Sequence, residues 1–301
     1  MQNWFTVLIP TKDSALWIGA LLDHYKVRGI TPILLLDDRT KDNTRAIAYA
    51  AGVPIVDVHG FTHTEAIVSI AKDCVKTPWA LFMHDDEVPS DRLFERLAGP
   101  PPPDAVQTVA LPRRWAWYEP GKPLMYGYSD QWQDRTHRPG TDHAWRLFRP
   151  DQVVYTSIMH TEGYFINHWS RVPLDAYFVH FEWVLRSHAQ RAVKLRRYDE
   201  YRWGYGKFFE KIYLPESQEP GLIRYEHFET NTYDELARIY YAARAKIDPP
   251  LPRRSLRTQY ARLKAYINEK LRPPDFSAEA PDRKGLTVHA DREIADPHNS
   301  D

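Results

Sequence analysis

Short apolar runs return through the first third of the chain at residues 5–9, 32–36, 54–58 and 79–83, and each stops at Pro, Asp or His. Runs of this length, rich in Leu, Ile and Val and bounded by turn residues, read as buried strands. Between them, residues 15–28, 42–51 and 64–75 carry helical spacing, with Gly29 and Gly52 placed to end the first two helices. Strands that alternate with helices at this spacing pair in parallel, because only a crossover connection returns the chain to the same edge. Both faces of such a sheet must then be covered. The expected fold is α/β, with a Rossmann-like, doubly wound and mostly parallel sheet.

After a helix at 91–97, the run GPPPPD at residues 99–104 cannot continue a helix or a central strand. Order changes beyond it. Strands are expected at 105–111, 144–148, 153–155 and 177–180, a long helix at 182–201, and further helices at 233–246 and 256–271. Residues 272–301 lack apolar periodicity and read as a disordered tail. The expected division is 1–98, 105–201, a helical carboxy-terminal extension at 202–271, and the tail at 272–301.

Lys plus Arg and Asp plus Glu both number 40, so bulk charge selects no polyanionic partner. The single cysteine, Cys74, excludes an intramolecular disulfide and fits a reducing compartment. No basic leader and no apolar run of membrane-spanning length stands in the sequence, so a cytoplasmic protein, soluble or peripheral at a membrane, is expected.

The fourth strand ends abruptly in His84, Asp85, Asp86 and Glu87. Three adjacent carboxylates at the carboxyl end of a strand in an open α/β sheet lie where ligands bind. Their oxygens suit a hard divalent cation carrying phosphates. The alternative is an acidic surface turn leading into the helix at Asp91, with Asp85 or Glu87 capping it or pairing with Arg92.

Three segments stand in order: TVLIPTKD at residues 6–13, LLDDRTKDNT at 35–44 and FMHDDE at 82–87. Together they resemble the family 2 glycosyltransferases of the GT-A fold, including bacterial lipopolysaccharide and cell-surface sugar transferases. The resemblance implies an inverting transfer of a sugar from a nucleotide-diphosphate donor, of UDP type, to an acceptor hydroxyl, with Mn2+ or Mg2+ on the diphosphate. It places Pro10, Thr11 and Asp13 beside the nucleotide, Asp38 on the base or ribose, Asp85 on the ribose and Asp86 on the metal. His84 stands where the family usually has its first aspartate and is expected with Asp86 among the metal ligands, since an imidazole can ligate manganese or contact a phosphate; because magnesium prefers oxygen, this leaves both metal choice and metal dependence open.

Further on, WRLFRPDQVVYTSIMHTEG at residues 145–163 is similar to the family's acceptor-side region. The resemblance makes Glu162 the general base, with His160 next and Asp142 behind it. In FVHFEWVLRSHAQRAVKLRRY, residues 178–198, it assigns His180 to the metal or diphosphate and Lys194 to the donor. A buried core histidine and a solvated helix face are the alternatives there.

Trp115, Trp117, Tyr118, Tyr126, Tyr128 and Trp132 crowd one region, as an acceptor cleft for a glycan or as loop packing. The basic, aromatic segment 253–272 reads as a helix covering the core, an anionic membrane surface near a lipid-linked acceptor, or a nucleic-acid contact. Two other functions compete: a non-catalytic nucleotide-sugar or glycan-binding protein, and a nucleotidyltransferase. Against the second, PTKDSA after the first strand contains no glycine-rich phosphate loop.

Overall fold

Period-two alternation sorts the strands of the amino-terminal half into two apolar layers, one on each face of the sheet. In β1, Phe5–Thr11, Val7 and Ile9 enter one layer while Leu8 enters the other. In β2, Ile33–Asp37, Leu34 and Leu35 divide the same way, and in β4, Trp79–Phe82, Trp79 and Leu81 oppose Ala80 and Phe82. Two buried faces are what a doubly wound sheet requires, and they explain why these strands are apolar throughout rather than alternating with polar residues.

The computed structural model describes residues 4–59, 63–117, 125–129, 142–159, 162–201, 203–215, 223–227 and 231–247. The chain divides into two compact units, Met1–Pro249 and Pro250–Asp301, and every described residue lies in the first. The expected helix at 256–271 and the expected tail at 272–301 lie outside the described residues.

The remaining elements of the amino-terminal half are α1 (Ile18–Lys26), α2 (Thr44–Ala50), β3 (Ile55–Val58), a 3-10 helix (Thr64–Ile70), α3 (Ala71–Cys74), β5 (Glu87–Pro89) and α4 (Asp91–Ala98). Then come β6 (Thr108–Trp117), β7 (Met125–Ser129), β8 (His143–Phe148), β9 (Trp169–Arg171) and β10 (Phe178–His180). The described chain ends with α5 (Glu182–Leu185), α6 (His188–Tyr201), α7 (Tyr205–Tyr213), β11 (Ile223–His227) and α8 (Asn231–Ile247).

The sheet runs β11-β7-β6-β8-β4-β1-β2-β3. The pairs β1–β2, β1–β4 and β2–β3 are parallel, as the alternation of strands and helices requires. On the other side of β4 the pairing turns antiparallel through β8, β6 and β7. A side branch matters for the site, because β10 lies parallel to β6 and antiparallel to β5, with His180 opposite Glu87.

Several local expectations are corrected. Residues 64–75 form a 3-10 helix followed by one turn of α3 rather than a continuous α-helix. Residues 153–155 form no strand; Tyr155 makes an isolated bridge to Tyr164. The strand expected at 105–111 begins later and runs on through Trp117, so Trp115 and Trp117 belong to β6 rather than to a loop. The helix expected over 182–201 is broken at Arg186 and Ser187, because Ser187 and Gln190 cap each other: Gln190 Oε1 accepts from the Ser187 amide at 3.0 Å and Ser187 Oγ from the Gln190 amide at 3.3 Å. That reciprocal pair starts a new helix, and Ser-His-Ala-Gln was its signature. The segment 202–271 also holds a strand, β11, which pairs with β7.

Candidate functional site

The acidic end of β4 is enclosed rather than exposed. The Met83 amide still donates to the Leu8 carbonyl at 3.0 Å, and a tight turn, with the Glu87 amide donating to the His84 carbonyl at 3.0 Å, carries the chain straight into β5. Asp86 is 7% and Glu87 0% exposed, which removes the surface-turn alternative for these two. Arg92 pairs with Glu95 at 2.9 Å, not with the acidic run. The start of α4 is capped instead by Ser90, whose Oγ accepts from the Leu93 amide at 3.0 Å.

Pairing of β5 with β10 brings His180 to Asp86, with Nε2 at 3.3 Å from Oδ2, and the Phe181 amide donates to the Asp86 carbonyl at 2.8 Å. Two residues on, Glu182 opens α5. Ligand atoms of Asp86, His180 and Glu182 all lie within 4.8 Å of one another, and all three side chains are buried. Two ligands on opposite sides of one oxygen-bound divalent ion stand about 4–5 Å apart, so the cluster is compact enough to hold such an ion. A donor set of two carboxylates and an imidazole suits a divalent ion that accepts nitrogen as well as oxygen, which Mg2+ does less readily than transition metals.

Positive charge surrounds the cluster. Glu182 accepts from Arg186 Nε at 2.9 Å and from Lys194 Nζ at 3.0 Å. Burial pushes the Glu182 carboxyl up, but the Arg186 and Lys194 charges outweigh it and hold it well below the usual carboxylate range. Burial likewise opposes ionisation of Asp86, and the neighbouring His180 imidazole brings it down. The His180 ring sits 4.4 Å from Trp115, which stacks in turn on Trp183 at 4.8 Å. His180 Nδ1 is buried with no hydrogen-bond partner among the described residues.

The other residues of the run part ways. His84 lies outside the three-residue cluster: its Nδ1 is 3.8 Å from Glu87 Oε1, and its buried Nε2 has no hydrogen-bond partner among the described residues. Burial lowers its pKa to about 4, so the ring is neutral at neutral pH. Glu87 takes a hydrogen bond from the His84 amide at 2.9 Å and forms an ion pair with Arg146 at 2.6 Å. Burial works against its charge, and Arg146 overcomes it. Asp85 accepts a short hydrogen bond from Ser14 Oγ, and its backbone carbonyl accepts one from Tyr240 at 2.8 Å. Burial and the charge of Asp86 push the Asp85 carboxyl up to about 7.

The ends of β1 and β2 are stitched together beside this loop. Pro10 and Thr11 pair in register with Leu35 and Leu36, and Thr11 Oγ is buried against the Ile9 carbonyl at 3.3 Å. Asp13, at φ 50°, accepts from the Lys41 amide at 2.7 Å, and Thr44 Oγ accepts from the Ser14 amide at 2.8 Å. Asp37 is bound by Arg39, while Asp38 faces outward and meets His59 at 3.0 Å.

In the segment after β8, Glu162 accepts from Arg146 Nη1 at 3.1 Å, so one guanidinium bridges it to Glu87. Its backbone is in the left-handed region, φ 61°, followed by Gly163 at φ 81°. A Cβ at Gly163 would lie 2.5 Å from Val68 Cγ2, so only glycine lets this turn press against the 3-10 helix and aim Glu162 inward. Asp142 is committed elsewhere, accepting from Arg113 at 2.7 Å and from Trp115 Nε1 at 2.9 Å. His160, Tyr118 and Trp132 lie outside the described residues, as does the Tyr128 side chain. Trp115 and Tyr126 are buried and serve packing.

Two members of the site escaped sequence reasoning, Glu182 and Arg146. Each is a charge inside an apolar run, FVHFEWVL and AWRLF, and an ionised group in such a run must find a partner once buried.

No protein-family model matches the chain. Over 80 residues the sequence is 28% identical to glycosyltransferase AglJ of Haloferax volcanii; the match spans 27% of this chain and only 26% of that relative's own length. Among solved structures, glucosyl-3-phosphoglycerate synthase from Mycobacterium tuberculosis, in complex with Mn2+, uridine-diphosphate and glucosyl-3-phosphoglycerate, is similar over 75% of this chain and 88% of that one, at 13% identity and a TM-score of 0.42. Residues 1–349 of S. aureus TarS are similar over 71% and 73%, at 12% identity and a TM-score of 0.39. In the order of its strand-end motifs and in the stretch shared with a curated glycosyltransferase, the chain resembles the family 2 glycosyltransferases of the GT-A fold.

Proposed function

We propose that the chain is an inverting glycosyltransferase that moves a sugar from a nucleotide-diphosphate donor, of UDP type, to a hydroxyl of a glycan or lipid-linked acceptor. The observation that carries this reading is the buried Asp86, His180 and Glu182 cluster at the carboxyl end of β4, where an open α/β sheet binds its ligands. A divalent cation held there, Mn2+ before Mg2+ on the donor chemistry, supplies positive charge to the leaving diphosphate.

The chain's own residues account for the rest. Pro10, Thr11, Asp13 and Asp38, at the ends of β1 and β2, form the nucleotide side. Asp85 and Lys194 stand next to the cation ligands, Lys194 adding positive charge for the departing diphosphate. Glu162 accepts the proton of the acceptor hydroxyl as that oxygen bonds to the anomeric carbon and the bond from carbon to the diphosphate oxygen breaks. Arg146 fixes the carboxylate for this role through its 3.1 Å hydrogen bond. In this scheme His84 orients the loop through Glu87 and stands outside the cation's ligands.

The test is release of UDP from a panel of UDP-sugars with Mn2+ present. Asp86→Ala and Glu162→Gln are each expected to lower transfer by about 100-fold or more, the usual weight of a general base or of lost charge stabilisation. Donor binding with the same slow hydrolysis in wild type and both variants would instead mark a nucleotide-sugar-binding protein.

A further inference from the structure

Helix α8 lies far downstream in sequence, yet it grips both halves of the candidate cation site. Its buried residues Leu236, Ala237, Tyr240 and Ala243 recur at helical spacing and join the main core. A helix that only covered a core would need no more than this face. Tyr240 does more, because its ring stacks on Phe181 at 4.4 Å and 10°, and its hydroxyl donates to the Asp85 carbonyl at 2.8 Å. One turn on, Arg244 Nη1 reaches the carbonyls of Trp183 and Val184, each at 3.2 Å. Those carbonyls belong to α5, the helix that Glu182 opens, and Phe181 sits between His180 and Glu182. Gln190 Nε2 then ties the start of α6 to the Ile247 carbonyl at 3.3 Å.

Polar tips on a buried helix face are spent here on three backbone carbonyls, one beside Asp86 and two beside Glu182. We propose that Tyr240 and Arg244 are positioning residues, which set the separation between Asp86 on the β4–β5 turn and the His180 and Glu182 pair, and thereby the affinity for the divalent cation. The inference rests on the cation site proposed above. Neither residue touches the cation; both act through backbone that carries its ligands.

The experiment measures the dissociation constant of Mn2+ alone by electron paramagnetic resonance, on the full chain and well below the unfolding temperature. Tyr240→Phe keeps the ring and its stack while deleting one hydrogen bond, and it is expected to weaken Mn2+ binding about 3-fold to 10-fold. Arg244→Gln tests the α5 side independently and is expected to weaken binding in the same range. Arg238→Ala, exposed on the same helix, should leave the constant unchanged. A purely structural role would lower the melting temperature of Tyr240→Phe and Arg244→Gln but leave the Mn2+ constant of the folded protein at the wild-type value, and that result overturns the inference while the cation site stands. Absence of Mn2+ binding in the wild type overturns the site and the inference together.

Discussion

Two strand ends in this molecule are written almost alike and behave differently. β2 runs into Asp37 and Asp38, and β4 runs, one histidine later, into Asp85, Asp86 and Glu87. At the β2 end Asp37 is held locally: it takes hydrogen bonds from the Arg39 amide at 2.8 Å and the Arg39 side chain at 2.9 Å, and the bond to that side chain keeps its carboxyl below the usual range. At the β4 end the partners come from afar, Ser14 for Asp85, His180 for Asp86 and Arg146 for Glu87. A carboxylate satisfied by its neighbours needs little from the fold. One whose charge is met by distant residues is held in place by the closed tertiary structure, and those partners can set its pKa in opposite directions within three residues. Thus burial and the charge of Asp86 raise Asp85 to about 7, while at Glu87 burial pushes up and the Arg146 charge outweighs it.

The comparison breaks most visibly at Arg146. Arg146→Met strands the fully buried Glu87 without its counter-charge and is predicted to cost about 3–5 kcal/mol in a urea titration. Adding Glu87→Gln should recover much of that loss, because the uncompensated charge is gone. A single variant as stable as wild type would mean that the β4 end does not depend on its distant partner.

A pH effect follows where the same loop leaves through β5. His24 on α1 bonds to the Pro89 carbonyl at 3.1 Å, and burial, helped by the Arg28 charge, lowers its pKa from 6.5 to about 4. Between those values the unfolded chain binds a proton that the folded chain refuses. Stability from this group is therefore complete above pH 6.5 and is lost as pH falls toward 4, by about 3 kcal/mol. Denaturant titrations across that range should differ between wild type and His24→Gln by this amount, while the contributions of His84, of the same sign, and of Asp85, of the opposite sign, are common to both proteins.

Smaller still is the cap beyond β5. Ser90→Ala deletes the hydrogen bond to the Leu93 amide at the start of α4, at a predicted cost of about 1 kcal/mol, read as a modest fall in melting temperature. At the β2 end, Asp38→Asn is predicted to leave the melting temperature unchanged, since its partner His59 is itself exposed, while weakening UDP binding in a calorimetric titration. A drop of several degrees in Asp38→Asn would erase the contrast between the two ends.

Much of the amino-terminal half was legible because its signals are local. Strand runs, the glycines after α1 and α2, and the strand-end aspartates each report on residues within a few positions. The break before α6 was also written locally, in Ser187 and Gln190, and is the kind of capping pair that periodicity alone overlooks. Glu182 and Arg146 were visible only as charges in apolar runs. Nothing nearby says that one joins Asp86 and that the other ties Glu87 to Glu162.

By itself, then, the sequence determined that the first four strands alternate with helices and pair in parallel, and that acids stand at the carboxyl ends of β2 and β4. Period-two and helical spacing, with glycine and proline as punctuation, are properties of neighbouring residues and survive in the primary structure. Only the tertiary structure decided which acid is paired, which is raised and which meets a histidine. Those outcomes depend on burial and on partners such as His180 and Tyr240, respectively 94 and 155 residues from the acids they meet, that the sheet and α8 bring within hydrogen-bonding distance.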